Sequence, residues 1–367
     1  MAEELLRRLR AEKFCEVTGM AANVPQIAIT AGGRTRALQL LSVNQYSGPA
    51  PVSLQSYAQQ VRRQSVHDVE VHPPAVRQAF THLVLDARML RKLGTALNSG
   101  NSIFLYGPTG GGKTTIATTL SQVLALDAVW IPFAVEVDGQ IISVYDPHVH
   151  TRIDDPVSQN SDARWALCHR PTVLVGGELT NEMLELQPNP MTKFYTAPVQ
   201  MKANNGVLII DDFGRQRLSP EQLLNRWVVP LDRRIDFLTL AGGKTVEIPF
   251  ELLVVFATNL EPSALADAAF LRRIQTKIKV GAVSEQQFHE IFRAVCSDFK
   301  LQCEPDIIDE LIGLIRGKLQ QPLRACHPRD IVNQVRWAAR YEEKEPHLDR
   351  EALLAAVDAY FVLETES

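Results

Sequence analysis

A glycine-rich turn followed by a lysine and two threonines has the residue types and the spacing needed to hold a phosphate group. The stretch GPTGGGKTT follows the order G-x-x-x-x-G-K-T. Glycines let backbone N–H groups crowd around phosphate oxygens, the lysine reaches the terminal phosphates, and the first threonine hydroxyl binds Mg²⁺. The residues of this predicted phosphate loop are Gly107, Pro108, Thr109, Gly110, Gly111, Gly112, Lys113, Thr114 and Thr115.

The elements on either side of the turn fit the same chemistry. The apolar run SIFLY at 102–106 is typical of a buried strand, and TTIATTLSQVLAL at 114–126 repeats apolar residues at helical spacing. A strand, a glycine loop and a helix in this order predict a P-loop that binds ATP with Mg²⁺. A second Gly-Lys-Thr at 243–245 has Leu238 where the first glycine is required, so we interpret it as a hairpin turn.

Polar residues follow two further apolar runs. The stretch NNGVLIIDDFG at 204–214 predicts a strand that ends in two acids, with Asp211 holding Mg²⁺ and Asp212 orienting the attacking water as general base. The stretch LLVVFATNL at 252–260 predicts a neighbouring strand that ends at Asn259, whose amide is suited to hold the same water.

Three arginines are candidates for stabilising charge on the transferred phosphate. Arg272 and Arg273 lie in ADAAFLRRIQTKI at 266–278, and Arg329 lies at a predicted helix start in LRACHPRDIVNQV at 323–335. A guanidinium that stabilises a phosphoryl group can be supplied by a second subunit. The alternative interpretation of Arg272 and Arg273 is an ordinary arginine pair on a helix surface.

The order of these motifs, from about residue 76 to 367, resembles the AAA+ ATPase family. The resemblance implies an α/β P-loop NTPase fold, with a parallel five-stranded αβα core and a helical C-terminal lid, assembled as a ring that is often a hexamer. It implies that Asn259 is sensor 1, that Arg273 or else Arg272 is an arginine finger, and that Arg329 is sensor 2. The predicted hairpin before the Asn259 strand resembles the branch of MoxR, Mg-chelatase and enhancer-binding activators.

Two departures from the family pattern stand out. The second acid of the pair is usually glutamate in this family, whereas Asp212 is one methylene shorter, which leaves slow hydrolysis or a different base open. Glu178 is the alternative base. The interval from Lys113 to Asp211 is 98 residues, which predicts an insertion at about 130–200.

The predicted insertion contains two further signals. Alternating apolar runs around Asp138-Gly139 predict a tight β-hairpin. In the stretch after it, Asp146, His148 and His150 would share one side of an extended segment, and we weigh a metal site there against a polar loop with incidental histidines.

The parts of the chain outside the core divide it into further units. We expect a small α+β module at 1–44, a linker at 45–75, a nucleotide-binding core at 76–281 and a helical lid at 282–367. The module, in the order helix, strand, loop, strand, helix, resembles part of a winged-helix domain that lacks two earlier helices. We also expect one helix over 73–97 and a strand, turn and helix over 172–184.

Composition narrows the class of protein and its partners. The chain has 46% hydrophobic and 22% charged residues, five cysteines without a CxxC pair, and no apolar stretch of membrane-spanning length. We therefore expect a cytoplasmic protein with reduced thiols. Residues 1–100 carry twelve Lys/Arg against seven Asp/Glu. The leading hypothesis is an oligomeric ATPase that remodels a protein client; the alternatives are a DNA-associated ATPase and a weakly hydrolysing nucleotide switch.

Overall fold

The N-terminal module consists of two helices around a two-stranded antiparallel sheet. Its elements are α1 (Ala2–Ala11), β1 (Cys15–Ala21), β2 (Val24–Ile29) and α2 (Ala31–Val43). The order of helices and strands in this segment is the order predicted from the sequence. Residues 22–23 lie outside the residues described in this computed structural model, which are 2–21, 24–125, 127–154, 162–265, 271–303 and 305–361.

The stretch expected to be a linker contains packed secondary structure. It includes β3 (Val52–Ser53) and α3 (Leu54–Arg63), and α3 buries Tyr57 and Val61. The single helix expected over 73–97 is wrong, because the chain forms α4 (Pro73–Ala79) and α5 (Ala87–Ser99). The Asp86 side chain accepts a hydrogen bond from the Met89 N–H at 2.6 Å and so caps the start of the second helix. This N-cap divides the helical pattern over 73–97 into two helices.

The next elements build the core and its insertion. In chain order they are β4 (Ile103–Tyr106), α6 (Lys113–Leu124), β5 (Ala128–Pro132), β6 (Ala134–Val137), β7 (Gln140–Ser143), β8 (Trp165–His169), β9 (Thr172–Val175), β10 (Gln187–Pro188), β11 (Tyr195–Thr196), α7 (Val199–Lys202), β12 (Val207–Ile210), α8 (Pro220–Arg226), α9 (Val228–Arg233), β13 (Ile235–Thr239), β14 (Thr245–Pro249), β15 (Leu253–Thr258) and β16 (Thr276–Lys279).

Five of these strands form a parallel sheet in the order β16-β4-β15-β12-β9. Alternate side chains enter opposite cores, because successive residues of a strand point to opposite faces. Ile103 and Leu105 pack with α5 and α6, whereas Phe104 packs with Phe213 and Trp227 on the other face. Helices therefore cover both faces, and the parallel αβα P-loop NTPase core predicted from the sequence is confirmed.

Four strands of the stretch predicted to be an insertion form a second, mixed sheet together with β3, in the order β10-β11-β7-β6-β3. The predicted hairpin is its β6–β7 pair, and Asp138 and Gly139 have φ values of 51° and 77°, as a tight turn of this kind requires. The Gly-Lys-Thr at 243–245 lies at the turn of the β13–β14 hairpin, as predicted. An ion pair between Asp138 and Lys244 joins the two hairpin tips.

Two sequence-based expectations for the insertion region are wrong. The helix expected after β9 is only a 3₁₀ turn at Glu182–Leu184. The stretch from Asp146 to His150 is a turn rather than an extended segment, because the His150 N–H donates to the Asp146 carbonyl at 2.7 Å. His150 is 1% exposed, and its ring nitrogens contact the Asp146 N–H and the Lys202 carbonyl. The described residues contain no cluster of potential metal ligands.

The helical lid is built from α10 (Glu285–Asp298), α11 (Pro305–Gly313), α12 (His327–Tyr341) and α13 (Arg350–Tyr360), with a π-helical turn at Leu314–Lys318. One apolar cluster, which includes Phe288, Phe292 and Ile331, holds these helices together. Apolar residues at helical spacing in the stretches IIDELIGLIRG, RDIVNQVRWAARYEE and REALLAAVDAYF predict the last three of these helices. The sequence also carries a start signal for α10, since Ser284 and Gln287 form a reciprocal capping box.

Two expectations about the chain as a whole can be compared with the structure. The five cysteines all lie within the described ranges and form no disulfide with one another. Within the described ranges, no helix has the length and apolar character needed to cross a bilayer.

Candidate nucleotide-binding site

The glycine loop connects β4 to α6, as the motif predicts. Gly107 has a φ of 142°, and a Cβ on this residue would lie 2.1 Å from the Val280 carbonyl oxygen. The Gly107 N–H donates to the Thr258 carbonyl at 3.3 Å. Glycine is therefore required at this position both by the backbone conformation and by the close approach of the segment after β16.

Lys113 lies inside the loop. It is 8% exposed, and its Nζ donates to the carbonyl oxygens of Gly107 and Pro108, both at 2.9 Å. Burial lowers the pKa of Lys113, and the charges of Asp211 and Asp212 oppose that shift. In the described part of the chain, no side chain caps the N-terminus of α6, so its first N–H groups are available to an anion.

Asp211 and Thr114 form an oxygen pair beside the lysine. The Thr114 hydroxyl donates to Asp211 Oδ2 at 2.8 Å, and Asp211 Oδ1 accepts the Asp212 N–H at 3.0 Å. The Asp211 N–H in turn donates to the Val175 carbonyl of β9 at 2.8 Å. Carboxylate and hydroxyl oxygens are ligands that Mg²⁺ prefers, so this pair fits the predicted metal position.

Asp212 is exposed and has a φ of 47°, a left-handed conformation that is uncommon outside glycine. Its charge acts on Lys113. The alternative base, Glu178, is in a loop after β9, where its Oε1 accepts the Gly176 N–H at 2.8 Å. Hydrogen bonds from the backbone N–H groups of Gly176 and Glu178 lower the pKa of this carboxyl. Both acids follow neighbouring strands, but only Asp212 has this charge interaction with Lys113.

The tip of β15 connects the glycine loop to the acid pair. Thr258 accepts the Gly107 N–H through its carbonyl, and its hydroxyl donates to the Phe213 carbonyl at 2.6 Å. Asn259 follows directly and is half-buried. Because β15 lies between β4 and β12 in the sheet, Asn259 is placed at the same edge as the phosphate loop and Asp211.

The paired arginines differ in their surroundings. Arg272 is exposed, whereas the Nε of Arg273 donates to Asp232 Oδ2 of the same chain at 2.9 Å. The part of the motif at 266–270 lies outside the described residues.

The structure places Arg329 within the lid and a different arginine against the glycine loop. Arg329 Nη2 donates to Asp298 Oδ2 at 3.2 Å, and its guanidinium lies 5.7 Å from the Phe299 ring centre. A Cβ on Gly110 would lie 3.3 Å from Arg324 Cδ. The Cys326 N–H also donates to the Gly110 carbonyl at 3.1 Å. Sequence reasoning missed Arg324, because nothing in its spacing distinguishes it from Arg329.

Arg324 has a donor that is suited to an anion. Its Nε is buried and has no hydrogen-bond partner among the described residues, and a buried unpaired donor is costly. Arg324→Ala should weaken ATP binding about tenfold, the loss expected for one hydrogen bond to a charged group, whereas Arg329→Ala should change it less than about threefold. Calorimetric titration with a slowly hydrolysed ATP analogue measures both. A larger loss in Arg329→Ala than in Arg324→Ala would show that Arg329 is the lid residue that binds phosphate.

His327 at the start of α12 makes lid stability depend on pH. It is 1% exposed, its Nδ1 accepts the Arg324 N–H at 3.3 Å, and burial followed by the charge of Arg324 lowers its pKa to about 4. A lowered histidine pKa stabilises the fold fully above about pH 6.5, the unfolded value, and the contribution is lost as pH falls toward 4.

The free energy of unfolding should therefore fall by about 2 kcal/mol from this residue between pH 7 and pH 5. Urea unfolding of the wild type and of His327→Gln at the two pH values measures it, and His347→Gln provides an exposed control. The His327→Gln protein should lose less stability than the wild type over that interval. Equal losses in the two proteins would rule out this origin of the pH dependence.

Comparison with known proteins gives one family match and several structural similarities. The family described as a domain of unknown function, DUF8689, matches residues 284–359, which form most of the lid. No curated protein matches.

Among solved structures, NtrX from Brucella abortus with ADP has a TM-score of 0.48 at 14% identity, covering 80% of this chain and 59% of its own. The Holliday junction branch migration motor RuvB from Thermotoga maritima has a TM-score of 0.43 at 15% identity, covering 75% and 69%. Domain III of the replication initiation protein DnaA from Thermotoga maritima has a TM-score of 0.44 at 12% identity, covering 78% and 98%. The chain thus spans about three fifths of the NtrX chain.

Proposed function

We propose that this chain is an AAA+-type ATPase that hydrolyses ATP and works as a ring-forming oligomer, often a hexamer in this family, on a protein client. The observation that carries the proposal is the hydrogen bond between Thr114 and Asp211, with Lys113 in the loop beside them. This arrangement joins a phosphate-binding loop to a carboxylate that can hold Mg²⁺, and the two are supplied by different strands of one sheet.

Each residue of the proposed nucleotide site has a separate role in hydrolysis. The N–H groups at the start of α6 and Lys113 bind the phosphates, while Thr114 and Asp211 hold Mg²⁺, which when bound neutralises charge on the phosphate oxygens. Asp212 accepts a proton from the attacking water, and Asn259 orients that water. The exposure of Asp212 leaves its carboxylate accessible to water.

An arginine from a neighbouring subunit completes the proposed site. Arg272 is exposed and Arg273 must leave Asp232 to act on another chain, so we favour Arg272 and test both. ATP turnover per chain should rise with protein concentration, and Arg272→Ala should reduce it about 10³-fold, within the range for arginine fingers. Phosphate release across a dilution series measures this. A turnover per chain that stays constant on dilution, and in both arginine variants, would exclude a site shared between subunits.

The proposed client is a protein because helix α2 of the N-terminal module exposes the apolar side chains of Leu38, Leu40 and Leu41. DNA binding would depend on positive charge and phosphate contacts. Because residues 1–100 carry twelve Lys/Arg against seven Asp/Glu, we retain DNA as the alternative partner. We propose the module at 1–44, the core at 76–281 and the lid at 282–367 as the functional units. The β13–β14 hairpin before the Asn259 strand supports the MoxR, Mg-chelatase and enhancer-binding activator branch.

A further inference from the structure

The lid has an exposed aromatic face. On α12, Trp337 is 58% exposed and Tyr341 is 91% exposed, with Arg340 exposed beside them. Residues four apart share one side of a helix, and the opposite side of α12 buries Ile331 and Val335 in the lid core. We call Trp337, Arg340 and Tyr341 the aromatic lid face. Tryptophan, tyrosine and arginine are the residue types that dominate binding energy at protein interfaces.

The chain that follows the aromatic lid face is acidic. Glu343, Glu345 and Glu351 are exposed. Within the described part of the chain, neither Glu343 nor Glu345 forms an ion pair, whereas the charge of Glu351 acts on Lys344. The unpaired carboxylates of Glu343 and Glu345 disfavour a nucleic acid at this face and favour a partner that presents apolar side chains with basic residues around them.

The N-terminal module presents an apolar surface of that kind. The antiparallel register pairs Val17 with Ile27 and Met20 with Pro25, so Val17, Met20, Ile27 and Ile29 lie on one face of the β1–β2 pair. They are 40%, 66%, 36% and 50% exposed, respectively. We call these four residues the apolar hairpin face. A two-stranded sheet is marginally stable by itself, so covering this face would stabilise the module.

Basic residues accompany the apolar hairpin face. Lys13 and Arg34 are exposed, and among the described residues neither forms an ion pair. A hydrogen bond from the Thr30 hydroxyl to the Lys13 carbonyl at 2.7 Å keeps the segment before β1 close to the end of β2. The positive charges are therefore at the Ile29 end of the hairpin, and the unpaired acids of the lid are their complement.

We infer that the aromatic lid face of one copy of this chain binds the apolar hairpin face of a second copy. Both faces are open in the same molecule, so neither covers the other within the chain. The module is instead attached to the insertion, through Lys193 and Ser42 and through the Tyr46 and Phe194 rings. An interface between two different surfaces of identical chains can repeat from copy to copy and close into a ring. The inference rests on the proposed oligomer and names the surfaces that form it.

Sedimentation velocity of the full-length chain with an ATP analogue tests this inference. Trp337→Ala with Tyr341→Ala should weaken self-association at least about tenfold, as expected for loss of central aromatic contacts. Met191→Ala, at an 80% exposed apolar residue of the insertion, should leave it unchanged. Calorimetry of ADP binding to the same proteins reports on the nucleotide site separately.

A charge exchange makes the test specific to the two surfaces. Glu343→Lys with Glu345→Lys, and Lys13→Glu with Arg34→Glu, should each weaken association about fivefold or more. Both pairs in one chain should restore it to within about twofold of the wild type. The inference is overturned if the chain with both pairs loses as much self-association as the two separate losses added together. It is also overturned if the aromatic variant associates normally. Normal ADP binding with failed association would leave the proposed nucleotide chemistry intact.

Discussion

Replacing Lys113 with alanine is expected to weaken ATP and ADP binding at least about 100-fold. The Lys113 amine lies inside the glycine loop, 2.9 Å from the carbonyls of Gly107 and Pro108, and is placed to turn toward a bound phosphate. Charge-assisted hydrogen bonds contribute about 1.5–3 kcal/mol each, and about 2.7 kcal/mol corresponds to a factor of 100. Calorimetric titration of wild-type and Lys113→Ala proteins with ADP measures the difference.

Lys244 provides the matched control, since it stands in the second Gly-Lys-Thr of the chain. That triplet lies at the tip of the β13–β14 hairpin, where Lys244 pairs with Asp138. Lys244→Ala should therefore bind ADP with wild-type affinity. An affinity in Lys113→Ala within about threefold of the wild type would mean that the glycine loop does not hold the phosphates.

Changing Asp212 to asparagine is expected to lower ATP turnover at least about 100-fold while ATP binding is retained. Asparagine keeps the shape of the side chain but cannot accept a proton, and a positioned general base contributes about 10²–10⁴ in rate. Asp212 is exposed and its backbone has a φ of 47°, a conformation that asparagine tolerates well. The change should therefore leave the fold intact. Single-turnover hydrolysis and a binding titration on the same sample separate the two effects.

Glu178→Gln is the parallel variant, because Glu178 is the other candidate base. Its carboxylate accepts backbone N–H bonds in the loop after β9, so it is occupied in the structure and should lower turnover less than about fivefold. Wild-type turnover in Asp212→Asn together with a large loss in Glu178→Gln would transfer the base to Glu178. Wild-type turnover in both variants would require a base other than Asp212 or Glu178.

The nucleotide core could be predicted from the sequence because its signals are local. The glycine spacing, the apolar run before it and the acids after β12 each depend on a few neighbouring residues, and the sheet brings them together as expected. The parallel order of β4, β12 and β15 follows from buried runs connected by helices. Asn259 is adjacent to the site for the same reason, since it directly follows the strand between the other two.

The parts that the sequence did not predict depend on contacts between distant residues. Arg324 lies beside Gly110 although more than 200 residues separate them in the sequence. No spacing rule distinguishes Arg324 from Arg329. The strand β3 pairs with β6, which lies more than 80 residues later in the chain, so the stretch around β3 appeared to be a linker. The Asp146–His150 turn forms around Lys202, which pairs with Asp146 at 2.8 Å, and an alternating pattern alone cannot indicate that contact.

The most direct test of the account is Mg²⁺-dependent phosphate release by the purified full-length chain. We predict steady release of phosphate from ATP with Mg²⁺, loss of release in EDTA, and no release above background from Lys113→Ala at the same protein concentration. Release that persists in Lys113→Ala, or a folded wild-type protein that binds ATP and Mg²⁺ yet releases no phosphate at any protein concentration, would contradict the proposal that this chain is an ATPase.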